Sequence, residues 1–168
     1  DGGAKTLVIE KSDQFGGTSA TSGGGVWIPN NRYAKAENVD DSTEDARDYI
    51  NSVSPPGKIK DELVETYLSE APKMIDYLHE NSQVKYRNLA HYPDYFPDNP
   101  GGKAGNRSIE PEPIYGTKLG KDLGKLREQH PQTAFTMGPI NMNFTQVEGQ
   151  LLLGALPGWK SLFAKLFT

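Results

Sequence analysis

The segment Lys5-Thr6-Leu7-Val8-Ile9-Glu10-Lys11-Ser12-Asp13-Gln14-Phe15-Gly16-Gly17-Thr18-Ser19-Ala20-Thr21-Ser22-Gly23-Gly24-Gly25-Val26-Trp27-Ile28-Pro29 decides how this chain reads. Its unbroken Leu7-Val8-Ile9 centre predicts a strand buried on both faces, as in a parallel sheet covered by helices. The strand ends on an acid, Glu10, and a glycine and hydroxyl run follows. A strand closed by an acid and followed by a Gly-rich turn is half of a dinucleotide-binding pattern. The full fingerprint sets G-x-G-x-x-G after the first strand and an acid about 20 residues later. With only this half present, Glu10 would end the second strand and accept hydrogen bonds from a ribose. The glycines would let backbone N–H groups approach a phosphate or a flat ring. The hydroxyls of Thr18, Ser19 and Ser22 can donate to the same ligand. Strands also end in Glu without a ligand, and glycine clusters often only turn, so spacing alone leaves both readings open.

Downstream, the pattern turns helical. Ser42 or Thr43 can cap a helix holding Ala46, Tyr49 and Ile50, and Ser42 with Asp45 resembles a capping box. Pro55-Pro56-Gly57 stops it. A second helix is predicted from about Lys60 to Asn81, with a stripe of Leu63, Val64, Tyr67, Leu68, Ala71, Met74, Ile75 and Leu78. Pro72 lies inside that stripe and is expected to kink or split it. Val84 to Arg87 reads as a short strand. From His91 to Pro113 the chain is dense in Pro, Gly and Tyr, so its order must come from packing on a neighbouring surface. Lys118 to Glu128 reads as a short helix weakened by Gly120 and Gly124, and residues 131–149 have no clear period. Leu156 to Phe167 reads as a short amphipathic helix.

Composition narrows the function classes. Of 168 residues, 35% are hydrophobic, 10% aromatic and 24% charged, a soluble-globular balance at the polar end. The aromatic content argues against wholesale disorder. A net charge of −4 supplies no basic field for nucleic acid. No apolar run approaches the roughly 20 residues of a membrane span. There are no cysteines, which removes disulfides, thiolate metal sites and a Cys nucleophile. His79, His91 and His130 share no helical ligand spacing, so no metal site is expected. A buried strand placed so near the start, and an apolar helical stretch at the end, suggest an internal piece of a longer protein.

Two separated motifs carry a family resemblance. The stretch Glu10-Lys11, then Phe15-Gly16-Gly17-Thr18-Ser19-Ala20-Thr21-Ser22-Gly23-Gly24, then Trp27-Ile28-Pro29 resembles the second FAD-contacting segment of the fumarate reductase and 3-ketosteroid dehydrogenase flavoprotein superfamily. Tyr92-Pro93-Asp94-Tyr95-Phe96-Pro97 and Gly105-Asn106-Arg107-Ser108-Ile109-Glu110-Pro111 resemble the P-D-Y-Y and G-R-S-I-E-P segments of the ketosteroid branch. The likeness covers about residues 4–125.

The resemblance implies an α/β fold: part of a Rossmann-like FAD-binding domain with inserted helices and long Pro/Gly-rich loops, spanning residues 1–168 and truncated at both ends. It implies a second domain, mostly or wholly outside these residues, that closes over the flavin and binds a steroid. Members of the Δ1 type remove hydrogens from C1 and C2 of a 3-ketosteroid. A tyrosine pair takes the C2 proton, the flavin N5 takes the C1 hydride, and another tyrosine with a backbone N–H polarises the C3 carbonyl. By this resemblance Glu10, Lys11, Gly16, Gly17, Thr18, Ser19, Ser22, Gly23 and Gly24 contact the cofactor, and Tyr95 is the helper that activates the base. Phe96 stands where many relatives carry a second tyrosine. Trp27 is expected in the core, and Arg107 is expected to pair with Glu110 or Asp94 in a structural role.

The expected partners are a steroid and an external electron acceptor, with no nucleic acid and no integral membrane segment. The expected location is cytoplasmic, with contact to a membrane surface open through Trp159 to Phe167. Because the phosphate-binding G-x-G-x-x-G, the base tyrosine and the C3 clamp are missing, the isolated chain is expected to be inactive. A fumarate reductase-like or Δ4-type flavoprotein with another substrate, or a non-catalytic binding domain, are the alternatives.

Overall fold

Frequent glycines and prolines cut the chain into short elements. The computed structural model describes residues 3–128, 135–137, 140–142 and 145–165. In chain order these are α1 (Gly17–Thr21), β1 (Val26–Trp27), α2 (Arg32–Ala36), α3 (Thr43–Val53), α4 (Asp61–Asn81), β2 (Tyr86–Asn88) and β3 (Ser108–Pro111). A 3-10 stretch (Gly116–Lys125), β4 (Phe135–Met137), β5 (Ile140–Met142), α5 (Gln146–Leu153) and α6 (Trp159–Lys165) follow. They fall into two units, Asp1–Gly23 with Ile114–Asn143 and Gly24–Pro113 with Phe144–Thr168. His130 and the end of the predicted last helix, Leu166 and Phe167, lie outside the described residues, as does much of the aperiodic region 131–149.

In the second unit β1, β3 and β2 form an antiparallel sheet in the order β1-β3-β2. Val26 pairs with Ile109, and Asn88 pairs with Ile109 from the other side. The central strand buries Ile109 and Glu110. Over the sheet lies α4, whose buried positions Val64, Leu68, Ala71 and Ile75 recur at helical spacing. Ala71 and Ile75 pack with Ile28 and Ile109, while Val64 and Leu68 pack with Ala46 of α3. One stripe thus joins α4 to both the sheet and α3. Its outer members Leu63, Tyr67 and Met74 stay exposed, so the stripe is narrower than the sequence suggests. Pro72 does not split the helix. A proline removes one intrahelical bond, and here Leu68, Ala71 and Ile75, buried on either side of it, hold the backbone in place. Ile75 is fully buried. Ile75→Val is expected to cost about 0.5–1.5 kcal/mol, read as a lower urea midpoint at unchanged m-value; no change would mean that this contact contributes little.

The cap of α3 follows the sequence, but the expected box with Asp45 is only half formed, because the Ser42 N–H donates to Asp41 and the Asp45 carboxylate is held by Lys103. The Ser42 hydroxyl accepts from the Asp45 N–H at 3.0 Å, and α3 ends just before Pro55-Pro56-Gly57. Arg47 of α3 meets Glu65 of α4, with Nη2 2.9 Å from Oε2, and Lys103 holds Asp45 at 2.8 Å. Those hydrogen-bonded cations hold the Asp45 and Glu65 carboxyls below their usual range, and Lys73 does the same for Glu70. A carboxyl depressed in the folded state adds stability above its unfolded pKa, and that stability is lost as pH falls through the folded value. The effect is small because exposed pairs contribute little. Asp45→Asn is expected to be slightly less stable than the parent at neutral pH, and the two stabilities should converge as pH falls from about 5 towards 2. Parallel curves in urea titrations would remove this linkage.

In the first unit the predicted buried strand is corrected. Residues 4–10 carry no strand pairing, and Leu7, Val8 and Ile9 are 84%, 88% and 84% exposed. A parallel strand needs hydrogen-bonding neighbours and apolar cover on both faces, and among the described residues nothing supplies either. The parallel pairing described in this unit is the bridge between Phe15 and Leu126. There the Phe15 N–H donates to the Lys125 carbonyl, and the Arg127 N–H donates to the Phe15 carbonyl, both at 2.9 Å. β4 and β5 form an antiparallel pair. The predicted helix near Lys118 is instead a 3-10 stretch broken at Gly120, whose φ is 55°.

Candidate functional site

The glycine turn is built around left-handed backbone. Gly16, Gly17 and Gly24 have φ of 114°, 51° and 69°, a region L side chains rarely adopt. Their surroundings differ. A Cβ on Gly16 would lie 2.6 Å from the Ala20 Cβ, and one on Gly24 would lie 2.7 Å from the Pro111 ring. These two are glycines because the protein itself crowds them. At Gly17 a Cβ would meet nothing within 4 Å, so its face is open. Directly after it, α1 leaves the N–H groups of Gly17, Thr18 and Ser19 without intrahelical acceptors, since the first intrahelical bond runs from the Ala20 N–H to Gly16. Thr18, Ser19, Ser22 and Gly23 are exposed along the same turn. The Thr21 hydroxyl, by contrast, is turned inward to the Thr18 carbonyl at 3.0 Å.

Glu10 and Lys11 precede this turn and are both exposed. One oxygen of Glu10 accepts the Ser12 N–H at 3.0 Å, which fixes the carboxylate at the end of the extended segment. An acceptor carboxylate, an open glycine face and a row of backbone and hydroxyl donors suit a ligand with hydroxyls and phosphates or ring nitrogens. By its donor set this segment fits the second half of a dinucleotide site.

The tyrosine motif lies in the second unit. Tyr95 is 84% exposed, yet its neighbours are tied down. Asp94 is buried and accepts from the Trp27 indole N–H at 2.6 Å, the Lys103 N–H at 3.0 Å and Arg107 at 2.9 Å. The Phe96 N–H donates to the Tyr49 hydroxyl at 3.3 Å. Arg107 is 1% exposed, and its guanidinium also donates to both oxygens of Asp41. It lies over the rings of Trp27 and Tyr49, 5.6 and 5.8 Å from their centroids. The expected Arg107–Asp94 pair is present. The other expected partner, Glu110, is instead held by Arg87 at 2.7 Å. Sequence reasoning missed Asp41, because nothing local links it to a residue 66 positions away.

Trp27 is half-buried between Tyr49 and Tyr67, and stacks on Tyr67 at 6.3 Å. Burial pushes the Tyr67 phenol upward, and its hydroxyl donates to the Trp27 carbonyl. His79, expected on the helix surface, is half-buried and bonded to the Tyr33 hydroxyl at 3.0 Å. Among the described residues no three His, Asp or Glu side chains gather where they could hold a metal ion. Among the same residues no helix is long and apolar enough to cross a membrane.

Over 145 residues the chain is 36% identical to a 3-oxosteroid 1-dehydrogenase of Mycolicibacterium smegmatis, covering 86% of this chain and 25% of that protein. It is 34% identical over 135 residues to a 4-oxocyclohexanecarboxylate 2-dehydrogenase of Sinomonas cyclohexanicum, covering 80% of this chain and 23% of that protein. The crystal structure of a 3-ketosteroid Δ1-dehydrogenase from Sterolibacterium denitrificans, in complex with 1,4-androstadiene-3,17-dione, superposes with a TM-score of 0.79 at 35% identity. That match covers 95% of this chain and 27% of the other. The chain thus spans about a quarter of the length of the curated relatives it matches. Its helices and small sheet have the fold of the flavoprotein FAD-binding domain. Residues 1–154 match the family model described as FAD binding domain, and the chain belongs to that family.

Proposed function

We propose that this chain is part of an FAD-dependent 3-ketosteroid dehydrogenase of the Δ1 type, an oxidoreductase that removes hydrogens from C1 and C2 of its substrate. The observation that carries this reading is the likeness to a steroid-complexed dehydrogenase over 95% of the chain at 35% identity. Residues 1–168 form part of a larger FAD-binding domain, and the steroid-capping domain lies mostly or wholly outside them. Exposure of Leu7, Val8 and Ile9 on every side supports a further element, in which residues 5–10 join a parallel, Rossmann-like sheet completed elsewhere in the protein.

Each residue then has a task. Glu10 accepts the ribose hydroxyls, and the open face of Gly17, with the N–H groups of Gly17, Thr18 and Ser19, approaches the flavin nucleotide. The hydroxyls of Thr18, Ser19 and Ser22 add donors, while Lys11 and Gly23 flank the ligand. Gly16 and Gly24 shape the turn from within. FAD, when bound, supplies the hydride acceptor that no side chain provides. The C2 hydrogen beside a ketone is only weakly acidic, so the base that removes it must be tuned. A phenol of ordinary pKa near 10 is a poor base at neutral pH. A hydrogen bond donated by the Tyr95 hydroxyl to the base tyrosine's phenolate favours that phenolate. An external electron acceptor completes the cycle.

A second reading is favoured by the 34% identity to a dehydrogenase named for a small cyclic ketone. The chemistry next to a ring carbonyl is shared, and the substrate would be smaller. The deciding experiment follows the visible absorption of the complete flavoprotein under anaerobic titration. Bleaching of the flavin band by androst-4-ene-3,17-dione supports the steroid reading. Bleaching by 4-oxocyclohexanecarboxylate alone moves the substrate to the smaller ketone. Absence of a flavin band after incubation with FAD overturns both.

A further inference from the structure

We infer that Arg107, Asp94 and Trp27 form a clamp that positions the Tyr95 hydroxyl, a role that rests on the reading of Tyr95 given above. An exposed tyrosine on a loop ordinarily samples several orientations, and its backbone moves with the loop. The Tyr95 backbone is different, because both flanking residues are bound to one buried cluster. Asp94 joins it directly, through the Trp27 indole N–H and Arg107. Phe96 joins it through the Tyr49 hydroxyl, and the Tyr49 ring lies against Trp27 at 5.9 Å and under Arg107 at 5.8 Å. The far side of the loop is closed as well. The Asp94 N–H donates to the Lys103 carbonyl and the Lys103 N–H returns to the Asp94 carboxylate, both at 3.0 Å. One aromatic side chain is therefore presented to solvent from a backbone fixed before and behind it.

The composition of the cluster points the same way. A buried arginine held by two carboxylates is a poor stabilising device compared with apolar residues of the same volume. It does define direction, since a guanidinium donates in a fixed fork. Every polar group in it has a use. Asp41 also accepts from the Asn30 N–H at 2.8 Å and the Ser42 N–H at 3.0 Å, which ties the cluster to the segment after β1 and to the start of α3. A fixed backbone narrows where the hydroxyl can go, which helps a group that must meet a second phenol within hydrogen-bond reach.

The test is a double-mutant cycle in the complete flavoenzyme, with Tyr95→Phe as one arm. Trp27→Phe is the other, because it removes the indole donor to Asp94 without uncovering a buried charge. Expected for Trp27→Phe is a roughly tenfold lower kcat with KM within about twofold, as for a misplaced catalytic group. In the Tyr95→Phe background the same change should have no further effect on kcat. An equal loss in both backgrounds, or a folded Trp27→Phe enzyme with unchanged kcat, overturns the clamp. If Trp27→Phe does not hold flavin, Asp94→Asn takes its place, keeping the side-chain shape while discharging the carboxylate, and is judged by the same cycle. If Tyr95→Phe alone leaves kcat unchanged, it is the role of Tyr95 that fails, and the clamp fails with it.

Discussion

Arg107→Met is expected to destabilise the chain by about 3–5 kcal/mol, the range for removing one partner of a buried ion pair. Methionine nearly fills the volume of the arginine stem, so little of the loss comes from a cavity. What is lost is charge. Asp41 and Asp94 have side chains 5% and 2% exposed, and both accept hydrogen bonds from the one guanidinium that balances their charge. Without it, two carboxylates remain out of water with only neutral donors: the Asn30 and Ser42 N–H groups on Asp41, and the Trp27 indole and Lys103 N–H on Asp94. Desolvated anions held by neutral donors alone are costly. Adding Asp41→Asn and Asp94→Asn to the variant should recover part of the loss, since both amides keep an acceptor oxygen and carry no charge. Urea unfolding of the parent, Arg107→Met and the triple variant checks this. A loss below about 1 kcal/mol for Arg107→Met, the scale of an exposed pair, would mean that the cluster is hydrated.

The same cluster shows why some of the molecule was legible in the sequence and some was not. Local signals held. Ser42 caps α3, Pro55-Pro56-Gly57 ends it, and α4 runs from Asp61 to Asn81 where the apolar period placed it. Two further helix starts are written in local residues. Asn31 caps α2, accepting from the Tyr33 and Ala34 N–H groups at 3.0 Å, and asparagine ahead of a helical run is a standard start signal. Thr145 and Glu148 form a reciprocal capping box, which the spacing T-x-x-E announces. Long-range pairing was not legible. Which carboxylate meets Arg107, and that Glu110 turns to Arg87, depends on contacts between residues far apart in sequence.

The strand at residues 5–11 fails for a different reason. Its apolar run states a preference for burial, and burial depends on neighbours. The described residues offer none, so the run lies extended and exposed. The glycine turn divides likewise. The family resemblance implies that Gly16, Gly17 and Gly24 belong to one ligand-contacting set. The structure gives two of them an internal reason, Ala20 and Pro111, and leaves Gly17 with the open face. A glycine count alone cannot make that distinction, because crowding and openness both select glycine.

Gly101→Ala is expected to cost about 3 kcal/mol or more, by strain and collision together. Gly101 has φ +72°, and a Cβ there would lie 1.9 Å from the Asp45 carbonyl oxygen and 2.8 Å from the Tyr49 nitrogen. Both contacts are helix backbone in α3, which cannot rotate aside as a side chain can. The loop from Asp94 to Lys103 must lift off α3, and with it the Lys103–Asp45 pair and the Phe96–Tyr49 bond. Gly57→Ala separates the two causes. Gly57 has φ +69° with nothing within 4 Å of its Cβ position, so that variant carries only the left-handed penalty of about 1 kcal/mol. The gap between the two variants in urea midpoint measures the collision. Equal losses would show that the loop moves away from α3 without resistance, and would take with them the rigid backbone on which the placement of Tyr95 depends. A large gap, accompanied by faster amide exchange at Phe96 and Lys103 in Gly101→Ala alone, places the loop's rigidity in its contact with α3.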